Sequence, residues 1–199
     1  MESLESVSDR PCQILDMELP PRMNILDRIS KSDIRDLLGK GWLTHDGMWF
    51  YHTYQALGIE TANELNKAAI KSLAPIEIKR VKKILGLGEE DILNFNDLEG
   101  FLNDALEITL PGSVFKKLHF SSPHQNTLHW EWEKGECFAY KGMKMLGIVD
   151  EYRCGVMYRI ECWLEAMGIE FCMNPKVNKC LMLEQDTCTG DISIPFEHY

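Results

Sequence analysis

The sequence has no apolar run near the ~18–20 residues that a helix needs to cross a bilayer. Positive charge is also scarce. Lys and Arg number 21 against 31 Asp and Glu, for a net charge of −10. A broad nucleic-acid footprint is therefore not expected, because phosphate contacts need clustered cations. Gly86-Leu87-Gly88 is followed by no Gly-Lys-Ser/Thr and so is not a phosphate loop. There is no Cys-x-x-Cys, internal repeat or low-complexity tract. The first ten residues place Glu2, Glu5 and Asp9 ahead of Arg10 and lack both the basic and the apolar regions of an export signal. A cytoplasmic protein without membrane or nucleic-acid partners is expected, with its seven cysteines, an odd number, serving as free thiols or metal ligands rather than disulfides.

What is present suits a packed core. The 199 residues are 45% apolar and 26% charged, ordinary for a globular chain. Residues 1–29 carry Pro11, Pro20 and Pro21 without a clear period and are expected to form an irregular arm. From 30 to 112 the period is helical. A first helix breaks at Gly39-Lys40-Gly41, a second covers about 43–57, and a third starts near Glu60. Pro75 ends the third or opens a fourth, and a shorter helix covers 97–107. From 113 to 199 the pattern mixes strands with helices. In the segment 127–133, Leu128, Trp130 and Trp132 alternate with His129, Glu131 and Glu133, as in a half-buried strand. Residues 114–120 are expected to pair with it, 139–146 to form a short helix and 151–167 a long one. Three further strands are expected at 169–173, 179–183 and 192–196. The expected class is α+β, a helical N-terminal half packed on an antiparallel sheet, with a long helix in the C-terminal half.

Projected at 100° per residue, 43–57 gathers Trp42, Trp49, Phe50, Ala56 and Leu57 on one apolar stripe, with Asp46 inside it and His45 at its edge. Burying an ionised carboxylate costs several kcal/mol without a partner. Asp46 is therefore a pocket acid or base aided by His45, the N-cap of a helix beginning at Gly47, or half of a buried ion pair. Arg153, near the apolar stripe of the long helix, could be that ion-pair partner or grip a ligand carboxylate, and Arg159 is a second candidate.

Six of the seven cysteines follow residue 136. Cys154 and Cys162 project from the long helix opposite its apolar stripe, Cys137 sits at a strand-to-helix corner, and Cys172 and Cys180 flank Asn174-Pro175. Three readings remain open. Cys137, Cys154, Cys162 and Cys180 could bind zinc or an iron–sulfur cluster, Cys137 could be a nucleophile, or all are small buried hydrophobes. His129 with Glu131 and Glu133 fits a solvated sheet face better than a metal site.

The stretch from Trp42 to Phe50, with Gly58-Ile59-Glu60 and Ala62, resembles the opening of a family of uncharacterised bacterial and archaeal cytosolic proteins. Cys137, Gly147, Cys154, Pro175, Cys180, Gly190-Asp191 and Phe196 resemble its C-terminal half. That half is also similar to proteins labelled L-2-amino-thiazoline-4-carboxylic acid hydrolase, departing from them at Tyr158 and at Ile194-Pro195, and more distantly to the 4-vinyl reductase ligand-binding domain. The resemblance implies an antiparallel sheet with a ligand pocket between sheet and helices. The function expected is small-molecule binding in a pocket of Trp42, Asp46, Trp49, Phe50 and Trp130, with Arg153 and the thiols close by. The alternatives are hydrolysis of a thiazoline or cyclic amidine, using Asp46 or His45 with Cys137 or a bound metal, and a protein-interaction module. A homodimer is a further expectation.

Overall fold

The computed structural model describes residues 24–88 and 91–196. The expected arm lies outside them except for 24–29, as does Cys12. The chain divides into two compact units, residues 1–30 and 31–199. In the first, a 3-10 turn spans Ile25–Asp27, capped by the Asn24 side chain, which accepts the Leu26 amide at 3.1 Å.

The second unit opens with two long helices, α1 (Lys31–Leu57) and α2 (Ile59–Leu85), joined at Gly58 with φ 85°. Both correct the sequence expectation. The break foreseen at Gly39-Lys40-Gly41 does not occur. Gly39 is a packing position, with Pro111 lying 3.0 Å from where its Cβ would stand. Pro75 neither ends a helix nor starts one but sits inside α2. A proline there removes an amide donor and crowds the preceding turn, worth about 3 kcal/mol. α2 continues because Ala74 and Ile78 beside it are buried and both α1 and α6 (Gly155–Ala166) pack along it. Gly86, in the left-handed region, closes α2.

α3 (Phe95–Thr109) starts at Asn94, whose side chain accepts the Asp97 amide at 3.0 Å. It buries Leu98, Phe101, Leu102, Ala105 and Leu106, the three-and-four spacing of one face. Residues 112–115 form the turn-long α4 (Gly112–Phe115), so the first strand begins later than expected. β1 (Leu118–His124) and β2 (Thr127–Trp132) make an antiparallel hairpin turning at Gln125 and Asn126. The alternation in β2 holds: Leu128, Trp130 and Trp132 are buried on the inner face. β4 (Cys188–Ser193) pairs with β2, and β3 (Cys172–Asn174) with β4, giving the antiparallel order β1-β2-β4-β3. Gly190 faces Trp130 across the ladder, and a Cβ at Gly190 would stand 2.3 Å from that indole.

α5 (Phe138–Met145) matches expectation, but the long helix starts four residues late, at Gly155. The preceding backbone is held extended, with Arg153 bridging Lys179 and the Cys154 amide donating to Asn178 O at 3.2 Å. Asn63, fully buried in α2, ties this segment down: its amide donates to Glu151 O and its carbonyl accepts from Arg153 N, both at 2.9 Å. The strand expected over 179–183 is instead the one-turn α7 (Leu181–Glu184). Cys172 and Cys180 are therefore not hairpin partners. Among the described residues no helix is long and apolar enough to cross a membrane.

Candidate functional site

Four side chains from three helices meet on one side of the core. Glu77 stands at the edge of the buried α2 stripe, and Arg159 and Trp163 lie one turn apart on α6. Arg159 Nη1 donates to Glu77 Oε1 at 2.6 Å, and Trp163 Nε1 donates to Glu77 Oε2 at 2.9 Å. Both carboxylate oxygens are thereby committed. The ion pair is mostly covered, its side chains 15% and 16% exposed. Trp42 of α1 completes the group, with the Arg159 guanidinium 4.6 Å above its ring in cation–π geometry.

Beneath them lies an apolar chamber of about 40 Å³. Its walls include Leu106 of α3, Leu110 just past its end, Trp132 of β2, Phe138 of α5 and Met157 of α6. Phe138 meets Trp132 edge-on at 6.1 Å. Thr109 also lines the chamber, but its hydroxyl donates to Ala105 O at 2.7 Å. Trp132 differs: its indole N–H is buried and has no acceptor among the described residues. A buried donor left unpaired costs about 1–3 kcal/mol, so one in a cavity wall is a place for an acceptor.

The residues singled out from sequence are dispersed around this group. Trp42 belongs to it. Asp46 lies one turn further on. It is no N-cap, because α1 runs through it, and it is no buried acid either, because its surface reaches water. Crowding by protein atoms still raises its carboxyl above the usual aspartate range, against the opposing pull of Arg159 and His45 and with a further push from Glu77. His45 points outward and accepts the Trp49 indole N–H at Nε2 (3.2 Å), and Trp49 is 66% exposed. Phe50 is buried edge-on to Tyr152 at 5.6 Å, and Trp130 is buried against Gly190. Arg153 pairs with Glu60, so Arg159 is the arginine that reaches Glu77 and the field of Asp46.

The thiols are corrected as well. Cys154 and Cys162 are buried, not displayed away from the core. Cys137, Cys154 and Cys180 each occupy the N-cap position of a helix, α5, α6 and α7. Burial pushes all three thiols up, and Cys188 to about 12, which keeps them protonated at neutral pH. That is the reverse of an activated nucleophile. Cys162 stands apart, beside Tyr158. Among the described residues no group of three or more His, Cys, Asp or Glu is placed to hold a metal ion, so the four cysteines proposed as ligands are not gathered into one.

On the outer sheet face His129 Nδ1 lies 2.7 Å from Asp191 Oδ1, and Thr189 Oγ1 lies 3.1 Å from His129 Nε2. Neither Glu131 nor Glu133 is the histidine's partner. The row resembles a nucleophile triad, but the Thr189 hydroxyl donates to Trp130 O at 3.0 Å. The one hydroxyl proton has two acceptors within reach, His129 Nε2 and Trp130 O, and the row ties β2 to β4.

Sequence reasoning missed Glu77, Trp132 and Trp163 as site residues. A signal existed for the first: Glu77 follows Ile70 by seven and Ala74 by three, the spacing of the buried stripe itself.

Residues 26–180 match the model of a family of unknown function, DUF6125, and the chain belongs to that family. No curated protein and no solved structure matches it.

Proposed function

We propose that the chain binds a small molecule in the chamber below Glu77 and Arg159, and that the ligand is compact, uncharged, largely apolar and equipped with one hydrogen-bond acceptor. The observation that carries this reading is the Trp132 indole N–H, unpaired among the described residues, in a largely apolar wall whose polar groups, Glu77, Arg159 and Thr109, are already bonded. The charges point the same way. Asp46, Glu77 and Arg159 sum to −1, and Glu77 already uses both oxygens, so a second anion meets repulsion. Size sets a limit. A cavity of about 40 Å³ is far below the ~150 Å³ that admits benzene in a protein core. A ligand of more than a few heavy atoms therefore enters by displacing the Arg159–Trp42 stack, a contact worth about 0.5–2 kcal/mol.

Titration with small ketones and hydrocarbons of matched shape, followed by the tryptophan indole N–H resonances of ¹⁵N-labelled protein, tests the reading. The resonance lost in Trp132→Phe is the reporter. A ketone should move it downfield, while the hydrocarbon leaves its hydrogen-bond state unchanged. Saturation with every ketone and no movement of that resonance would sink the proposal.

Hydrolysis through Asp46, His45 and Cys137 has weaker support. Among the described residues no hydrogen bond joins Cys137 to either of the others, and its raised thiol leaves little thiolate to attack. Free thiols on Cys137, Cys154, Cys162, Cys172, Cys180 and Cys188 suit a reducing compartment, and we place the protein in the cytoplasm.

A further inference from the structure

α1 is 27 residues long, yet its buried residues are Gly39 and Phe50 alone. The opposite side carries Leu37, Leu38, Met48 and Trp49 at 71%, 67%, 42% and 66% exposure. Ile34, Leu38, Gly41, His45, Met48 and His52 mark the centre of that side. Their spacings alternate between four and three, the repeat that lets one helix lie along another. None of the six carries a formal charge. The charged residues from 33 to 46, Asp33, Arg35, Asp36, Lys40 and Asp46, all fall roughly 100° or more away around the helix. In a chain of net charge −10, an uncharged strip this long is where two copies can approach without repulsion.

We propose that this face of α1 is a homodimer interface in which two copies of the helix pack antiparallel about a two-fold axis near His45. The face is its own complement. Trp49 supplies a knob, with its indole folded back onto His45 Nε2 and the rings 6.4 Å apart at 65°. Gly41 supplies a hole, since among the described residues no atom outside its own stretch of helix backbone lies within 4 Å of where its Cβ would be. The two positions are symmetric about His45. An antiparallel pairing centred there brings residue i beside residue 90 − i of the partner, so each Trp49 packs on the Gly41 of the other copy, twice over, as an isologous contact requires. The same register sets Leu38 beside His52 and opposes no two like charges from α1.

The area sets the strength. Residues 34–56 span about 34 Å, and a helix is about 10–12 Å wide, giving a footprint of roughly 400 Å² per copy. A standard specific interface uses about 800 Å² per partner. The dimer is accordingly a weak, reversible one.

Sedimentation equilibrium of the full chain over a wide concentration range tests this, beside Gly41→Glu and Trp49→Glu. Both substitutions fall on exposed helix, and replacing glycine by glutamate raises helix propensity, so the monomer keeps its fold, which circular dichroism checks. A monomer–dimer equilibrium is expected in the parent, weakened tenfold or more by either change. A photoreactive phenylalanine analogue in place of Trp49 should crosslink to the partner peptide containing Gly41. Three outcomes would overturn the proposal: a monomer at every concentration, a dimer indifferent to both substitutions, or a crosslink confined to another element.

Discussion

Replacing Glu77 should do more damage than any other single change on the outer side of α2, because two neighbours, Arg159 and Trp163, depend on one carboxylate. Glu77→Leu leaves the Arg159 guanidinium largely covered without its anion and the Trp163 indole N–H without an acceptor. Breaking a buried pair from one side costs about 3–5 kcal/mol. The partial exposure of both side chains argues for the lower end. The orphaned indole adds about 1–2 kcal/mol. The sum, roughly 4 kcal/mol, corresponds to a fall in Tm of about 8–16 °C for a chain of this size. Arg159→Leu alone should cost about 2–3 kcal/mol, since Glu77 keeps the Trp163 bond. In the double variant no charge remains to be stranded, and leucines fill the space. That variant should lose only the indole term, about 1–2 kcal/mol, where additivity demands roughly 6–7. Urea unfolding midpoints of the four proteins, fitted with a common slope, measure the difference. Additive losses, or a Glu77→Leu penalty within about 1 kcal/mol of nothing, would refute a buried hub.

Two further changes test packing and charge separately. Gly190→Ala should destabilise by at least ~3 kcal/mol or prevent folding, because the added methyl meets the Trp130 indole at 2.3 Å and Asn174 O at 2.6 Å, and neither a fully buried ring nor a backbone carbonyl can retreat; a near-neutral result by thermal unfolding would show that β2 and β4 are less tightly apposed. The carboxyl of Asp46, raised above the ordinary 3.8, binds its proton more readily in the folded protein than in the unfolded chain. Its contribution is therefore most favourable below that ordinary value and is lost as pH climbs through the folded one. Asp46→Asn should match or exceed the parent in stability at neutral pH, with the gap closing in acid, and lower stability at neutral pH would reverse the assignment.

How far the sequence reveals this fold depends on whether local pattern and tertiary packing agree. They agree in β2, where an indole at every second position can only face a core, and in α3, whose stripe is unbroken. They disagree at Gly39 and Pro75. Local chemistry says stop at both, but the chain continues because Pro111 needs the space at Gly39 and because neighbouring helices pack along α2 past its missing donor. The phase of α1 is ambiguous in the sequence for a related reason. Trp49 and Phe50 are both apolar and lie 100° apart, and nothing local says which one the core takes. A stripe that contains both takes Asp46 inward with it, whereas the core takes Phe50 alone and leaves Asp46 at the surface. Cysteines at three N-caps were equally hard to foresee, because serine, threonine, aspartate and asparagine are the residues that signal that position.

Trp42 links ligand binding to self-association. Trp42 sits on the border of α1 between the covered side and the bare one, with Arg159 over its ring and the chamber beneath. In the antiparallel register about His45, residue 42 lies beside Met48 of the second copy. A ligand too large for about 40 Å³ must move the Arg159–Trp42 stack, and in the dimer that indole has a methionine at its edge. The two equilibria then draw on one side chain. By linkage, whatever factor dimerisation applies to ligand affinity, the ligand applies to dimerisation. The sign follows from packing. A Trp42 held in place by the second copy resists displacement, so bulky ligands favour the monomer, whereas ligands small enough to fit under the stack leave self-association unchanged.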